Sequence, residues 1–341
     1  MDPAGITNLS AAVTAAATGV YLVWDRIAAV LKEASQLHRS STSGRQALGL
    51  AGAGDTSYRH DSVHALYTNE LQPHPDNIAA LAAVCGKDLA DAIKRSQFLA
   101  EEEIKTSIGT NLVLIGSPIA EGLSRPLLGY EPEPGLEDSL LLDQAPVDLP
   151  YRIVMSRNQV DPSAIARRFV AGKGVVERPN WRIEGHERFV PMTDSERFLV
   201  DDYLLITKLR NYSTADALHS GRFIVSIAGA HGTATRGVEL LLKDNRLLAQ
   251  IGSLLGRSSP AFQLVLRVSQ LKHSPTSGTI GRKIELASGP TIIPDNDSTW
   301  TEAQRIAHRN LQSWWERQAA ARSAQSTAAS DSGDPATGAD T

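Results

Sequence analysis

Residues Arg222–Leu242, RFIVSIAGAHGTATRGVELLL, restrict the fold more than any other stretch of the chain. An apolar, β-branched run passes through a loop of glycine, alanine and threonine straight into a helical pattern. A strand this apolar is buried on both faces, so it needs neighbouring strands and covering helices. Its glycines, set at a helix start, leave backbone N–H groups and the positive end of the helix dipole open to an anion. The loop is therefore read as a phosphate or nucleotide position. Gly229, Ala230, His231, Gly232 and Thr233 supply its backbone, and Thr235 and Arg236 stand beside it. No Gly-Lys-Ser/Thr follows, so nothing supports ATP hydrolysis of the P-loop kind.

A second loop has the same construction. Leu112–Ile115 is a short apolar strand, and Gly116–Tyr130, GSPIAEGLSRPLLGY, leads from it into a short helix. Gly116, Ser117, Ser124 and Arg125 make it a second wall for one ligand, because ligands of open parallel sheets sit at the carboxyl ends of the strands. Further strands are expected at Tyr151–Met155, Tyr203–Leu209, Phe223–Ala228, Phe262–Val268 and Lys283–Leu286. The last two form an antiparallel edge, and helices are expected at Pro162–Val170 and Thr233–Leu255. Asp201 and Asp202 read as the solvated start of a strand, at the end away from the site. The sum is an α/β fold with a mostly parallel sheet and helices on both faces.

The flanks read differently. Residues 1–37 form an N-terminal helical region, with one long helix over 9–36. Ala4–Trp24 carries no charge, so it either packs on a partner or anchors the chain in a membrane. Residues 38–75 lack a sustained period and read as a linker. Within them His60, Asp61 and His64 have the i, i+4 spacing of metal ligands, but only on a helix, so no metal site is assigned. Residues 76–322 are the main domain, with leading helices at 76–85 and 87–108. A long C-terminal helix spans Thr299–Arg322, and 323–341 have too little to bury and read as a disordered tail.

Composition sets bounds on partners. Of 341 residues 42% are hydrophobic and only 5% aromatic, which favours tight helix–sheet packing over an aromatic binding face. With 34 basic against 38 acidic residues the net charge is −4, and no basic run interleaves with aromatics, so nucleic acid is not the expected partner. One cysteine excludes an intramolecular disulfide, which suits a cytoplasmic setting. A homo-oligomer is expected.

AGAHGTATR at 228–236 resembles the PGGxGTxxE loop of the LOG and SLOG group, Rossmann-like proteins that include nucleoside-monophosphate phosphoribohydrolases and nucleotide sensors. Gly229, Gly232 and Thr233 match in phase, and VLIGSP at 113–118 is similar to that group's first strand and Gly-Ser turn. Ala228 replaces the proline, Ala230 the second glycine, and Arg236 stands at the glutamate position. The resemblance implies a Rossmann-like fold that binds a nucleotide or other phosphorylated small molecule as a sensor or regulatory module. One alternative is a hydrolase of N-glycosidic or phosphoester bonds that uses Glu239, His231 or Glu121 as acid or base. The other is a structural module with both loops empty. The ligand's identity and any cofactor stay open.

Overall fold

A computed structural model describes residues 32–50, 63–66, 74–85, 108–118, 121–133, 136–141, 145–155, 165–256 and 261–331. Helix α1 covers 32–47. Strand β1 (Val63–Leu66), helix α2 (Pro75–Cys85), strand β2 (Asn111–Ile115) and helix α3 (Ser124–Leu128) follow. Then come β3 (Glu131–Glu133), β4 (Leu136–Leu141), β5 (Tyr151–Met155), β6 (Ile165–Val170), β7 (Gly174–Pro179), β8 (Trp181–Gly185) and β9 (Arg188–Phe189). The second half holds β10 (Asp202–Arg210), α4 (Ala215–His219), β11 (Phe223–Gly229), α5 (Gly232–Arg236), α6 (Val238–Lys243) and α7 (Asn245–Leu255). It closes with β12 (Phe262–Ser269), β13 (Lys272–Ser274), β14 (Gly278–Ile280), β15 (Lys283–Ile292) and α8 (Asp297–Asp331).

The main sheet has six strands in the order β1-β2-β11-β10-β12-β15. Only the pairs β1·β2 and β2·β11 are parallel, while β11·β10, β10·β12 and β12·β15 are antiparallel. The fold is α/β as expected, but the mostly parallel, Rossmann-like sheet is corrected to a mixed, mainly antiparallel one. The β12·β15 antiparallel edge is found where the sequence placed it.

Alternation along the strands divides the core. Val113, Ile115, Leu204, Ile206, Val225 and Ile227 face one way, into a cluster with Leu81, Leu241, Leu248 and Ile251 from α2, α6 and α7. Leu112, Leu114, Leu209 and Ile224 face the other way, against Leu127 of α3 and Trp300, Leu311 and Trp314 of α8. Beside them on that second face, Leu205, Ala228 and Val265 meet Tyr151, Ile153, Trp181, Ile183 and Phe189 of the small β5-β8-β9 sheet. The buried amide of Gln263 fixes that contact by accepting from Tyr151 N at 2.6 Å and donating to Tyr151 O at 3.0 Å and Thr207 Oγ1 at 2.9 Å.

Several local expectations change. The helix expected at Pro162–Val170 is strand β6 over its described part. Ala166, Arg168 and Val170 are buried while Ile165, Arg167 and Phe169 are half-buried, a period of two that pairs with β7. The helix expected at Thr233–Leu255 is three helices, because the chain turns at Gly237 and again at Asp244, whose carboxylate accepts from Arg246 N and Leu247 N at 3.0 Å. The C-terminal helix runs on to Asp331, so 323–331 are helical rather than part of a loose tail. The linker region contains the end of α1 and strand β1, and His64 lies in that strand, where residues four apart are not neighbours. Residues 4–24, His60, Asp61 and most of the 87–108 helix lie outside the described residues. Among the described residues no helix is long and apolar enough to cross a membrane.

Candidate functional site

Strands β2 and β11 run parallel with Ile115 opposite Ile227, and Gly116 N donates to Ile227 O at 2.9 Å. The two glycine loops therefore leave the sheet side by side, as the sequence suggests. Their helices then part. Ala234 of α5 joins the cluster with Val113 and Ile115, whereas Leu123 and Leu127 beside α3 join the one with Leu112 and Leu114. Ser124 and Arg125 thus belong to the opposite face from Thr233, Thr235 and Arg236. Arg125 Nε donates to Pro118 O at 2.7 Å, Glu121 is fully buried with Oε1 accepting from Leu123 N at 3.0 Å, and Ser117 O accepts from Glu121 N at 2.8 Å. The buried Ser124 hydroxyl has no hydrogen-bond partner.

In the first loop much of the polar equipment is turned inward. Gly229 N donates to Thr235 Oγ1 at 2.9 Å and Ala230 N to Tyr203 O at 2.8 Å. Arg236 Nη1 donates to Ser277 O at 3.2 Å, and its Nε lies 3.7 Å from Glu239 Oε2. Thr235, Arg236 and Glu239 therefore tie α5 to the loop and to the β13–β14 turn.

The residue that organises the loop is Asp202, which the sequence reading set at the far end of its strand. That reading is corrected by strand direction. Because β10 runs antiparallel to β11, its amino end stands at the carboxyl end of β11, with Leu204 opposite Gly229. Asp201 and Asp202 are both completely buried. Asp201 takes two bonds from Arg267, at 2.9 and 2.7 Å, and one from Met192 N at 2.7 Å. Asp202 Oδ2 accepts from Ala234 N at 2.8 Å, and its Oδ1 lies 3.1 Å from His231 Nδ1. A carboxylate oxygen only accepts, so Nδ1 carries a proton, and in the neutral imidazole Nε2 then presents a lone pair.

Among the described residues that lone pair has no partner. His231 Nε2 and Thr233 Oγ1 are both buried and unbonded, two residues apart on one loop. Asn77 Nδ2, in the first turn of α2, is buried and unbonded as well. Next to it Asp76 closes the loop from outside, since a Cβ on Gly232 would lie 2.5 Å from Asp76 Oδ2. Arg168 Nη1, from β6, donates to the same oxygen at 2.6 Å, and both side chains are almost wholly buried. Arg168 Nη2 is 3.1 Å from His74 Nε2, and His74 Nδ1 is 3.4 Å from Asp76 Oδ2. Burial, and then the Arg168 charge, pull the His74 pKa down to about 4 against the opposing pull of Asp76.

The start of α5 is thus held by protein carboxylates, Asp202 on the Ala234 amide and Asp76 against Gly232. Asp76, Asn77, Arg168 and Asp202 were not among the sequence candidates. The one local signal was the helix start expected at 76, and the others come together only through topology. No family model, curated protein or solved structure matches the chain.

Proposed function

We propose that the chain is a small-molecule sensor that binds a nucleotide-like compound at the edge between the Gly116 turn and the 229–233 loop. The observation that carries this reading is the pair of buried, unpartnered atoms His231 Nε2 and Thr233 Oγ1. Buried polar groups are almost always paired, and leaving one unpaired costs about 1–3 kcal/mol. A ligand that supplies both partners recovers that cost. Asp202 and Asp76 already neutralise the start of α5, so the ligand is gripped by its neutral hydrogen-bonding part and any phosphate lies outside the loop. Entry requires the α2 start, whose Asp76 stands against Gly232, to part from α5. Because α2 carries Asp76 and Asn77, it is the element that would feel occupancy.

The test is a thermal-shift panel of nucleosides, nucleotides and sugar phosphates on the wild type and Thr233→Val. The valine keeps the shape and removes the hydroxyl. It should raise the midpoint of the ligand-free protein and weaken the response to the compound that stabilises the wild type. A panel in which no compound shifts the wild type would remove the reading.

The Asp202–His231 pair favours a second reading, in which His231 Nε2 acts as a general base for hydrolysis of such a ligand. Glu239 and Glu121 add little to it, being engaged with Arg236 and with Leu123 N. Release of base, sugar or phosphate by the wild type and not by His231→Gln would favour hydrolysis over sensing.

A further inference from the structure

The proposed site has a third wall. The buried face of α2 carries Asp76, Asn77, Ala80, Leu81 and Val84. Asp76 marks the side of this face that meets Gly232. Asn77 follows it by about 100° around the helix, on the side of Leu81 and the sheet. It is 3% exposed, and its Nδ2 has no acceptor. Residues flanking the Asp76–Gly232 contact thus carry three unsatisfied atoms of different polarity. Asn77 Nδ2 can only donate, His231 Nε2 of an imidazole protonated on Nδ1 alone can only accept, and the Thr233 hydroxyl does either. The nearby charge is already balanced, because Arg168 is paired with Asp76.

Resting on the nucleotide-like reading above, we infer that this junction recognises a planar lactam edge, an N–H beside a C=O. The N–H donates to His231 Nε2, and the C=O accepts from Asn77 Nδ2. Guanine among purines and uracil among pyrimidines present such an edge. Adenine and cytosine present an amine beside a ring nitrogen, with the exocyclic oxygen missing from the lactam position. A site whose buried groups match one edge rejects the other, because the mismatch leaves those groups unpaired again.

The experiment is calorimetric titration of the full chain with guanosine, uridine, adenosine, cytidine and ribose 5-phosphate, repeated on Asn77→Leu and Thr233→Val. The expected result is binding of guanosine or uridine at least about tenfold tighter than adenosine or cytidine. Asn77→Leu should erase that preference. Which of guanosine and uridine binds separates the purine from the pyrimidine source. If Asn77→Leu does not fold, Asn77→Ala serves the same comparison. If neither guanosine nor uridine binds more tightly than adenosine and cytidine, or if the preference survives loss of the Asn77 amide, this inference alone is overturned. If neither nucleosides nor ribose 5-phosphate bind, it falls together with the function proposed above. Binding of ribose 5-phosphate alone, weakened by Thr233→Val, overturns only the lactam edge.

Discussion

At the scale of single residues, Asp202 decides what the loop presents. Its two oxygens accept from His231 Nδ1 and from Ala234 N, at 3.1 and 2.8 Å. In a neutral imidazole a protonated Nδ1 makes Nε2 an acceptor, and the same carboxylate stands at the helix start where an anion would otherwise be held. Asp202→Asn keeps the shape and replaces one acceptor with a donor, so either the imidazole or the helix amide loses its partner. The expected cost is about 1–3 kcal/mol in denaturant unfolding. A clearer readout is the imidazole tautomer. Nitrogen NMR should find the proton on Nδ1 of His231 in the wild type and a shift toward Nε2 in Asp202→Asn. An Nε2–H tautomer in the wild type would remove the acceptor on which both the function and its lactam extension stand.

At the scale of elements, the β11–α5 junction depends on two glycines for different reasons. A Cβ on Gly229 would run into backbone, the His231 carbonyl and the Thr235 amide, which cannot move without undoing the turn. A Cβ on Gly232 would press on the Asp76 carboxylate, a side chain that can give way at the cost of its Arg168 contact. Gly229→Ala should therefore cost about 3 kcal/mol or more, and Gly232→Ala about 1–3 kcal/mol. The reverse ranking in denaturant melts would contradict this packing. The same junction marks what the sequence could disclose. The strand, its glycine loop and the helix start are local, and RFIVSIAGAHGTATR states all three. Whether β10 runs with or against β11 depends on pairings between distant segments, and that direction moves Asp202 from the far edge of the sheet into the site. Strand β6 misled for another reason. Its described sequence IARRFV places two arginines side by side, one inward and one outward, so its period of two shows only once Arg168 is seen buried on Asp76.

At the scale of the whole molecule, the apolar clusters on the two faces of the sheet account for most of the buried side chains, and the polar cluster at the sheet edge joins what they leave separate. Asp76 from α2, Arg168 from the β6–β7 hairpin and Gly232 from the α5 loop meet there, with His74 bridging the first two. Under the function proposed above a ligand enters where α2 meets the α5 loop, so the stability of this polar cluster bears on that proposal. His74 supplies a handle on it. Its pKa in the folded chain is about 4, against an ordinary 6.5 that the unfolded chain keeps. Between those two values the unfolded chain binds a proton that the folded chain refuses, so stability must fall as the pH drops from about 6.5 toward about 4 and level off below. The full difference is about 3.5 kcal/mol at most, since each pKa unit is worth about 1.4 kcal/mol. Carboxylates titrate in the same range, so the quantity to measure is the difference between wild type and His74→Gln, which keeps a polar end and loses the titration. Urea unfolding at a series of pH values should give the variant a shallower decline across that window and a parallel course above about pH 7. Identical slopes in the two proteins would mean that His74 is not held neutral between Arg168 and Asp76, and that the contact closing the site is looser than its geometry indicates.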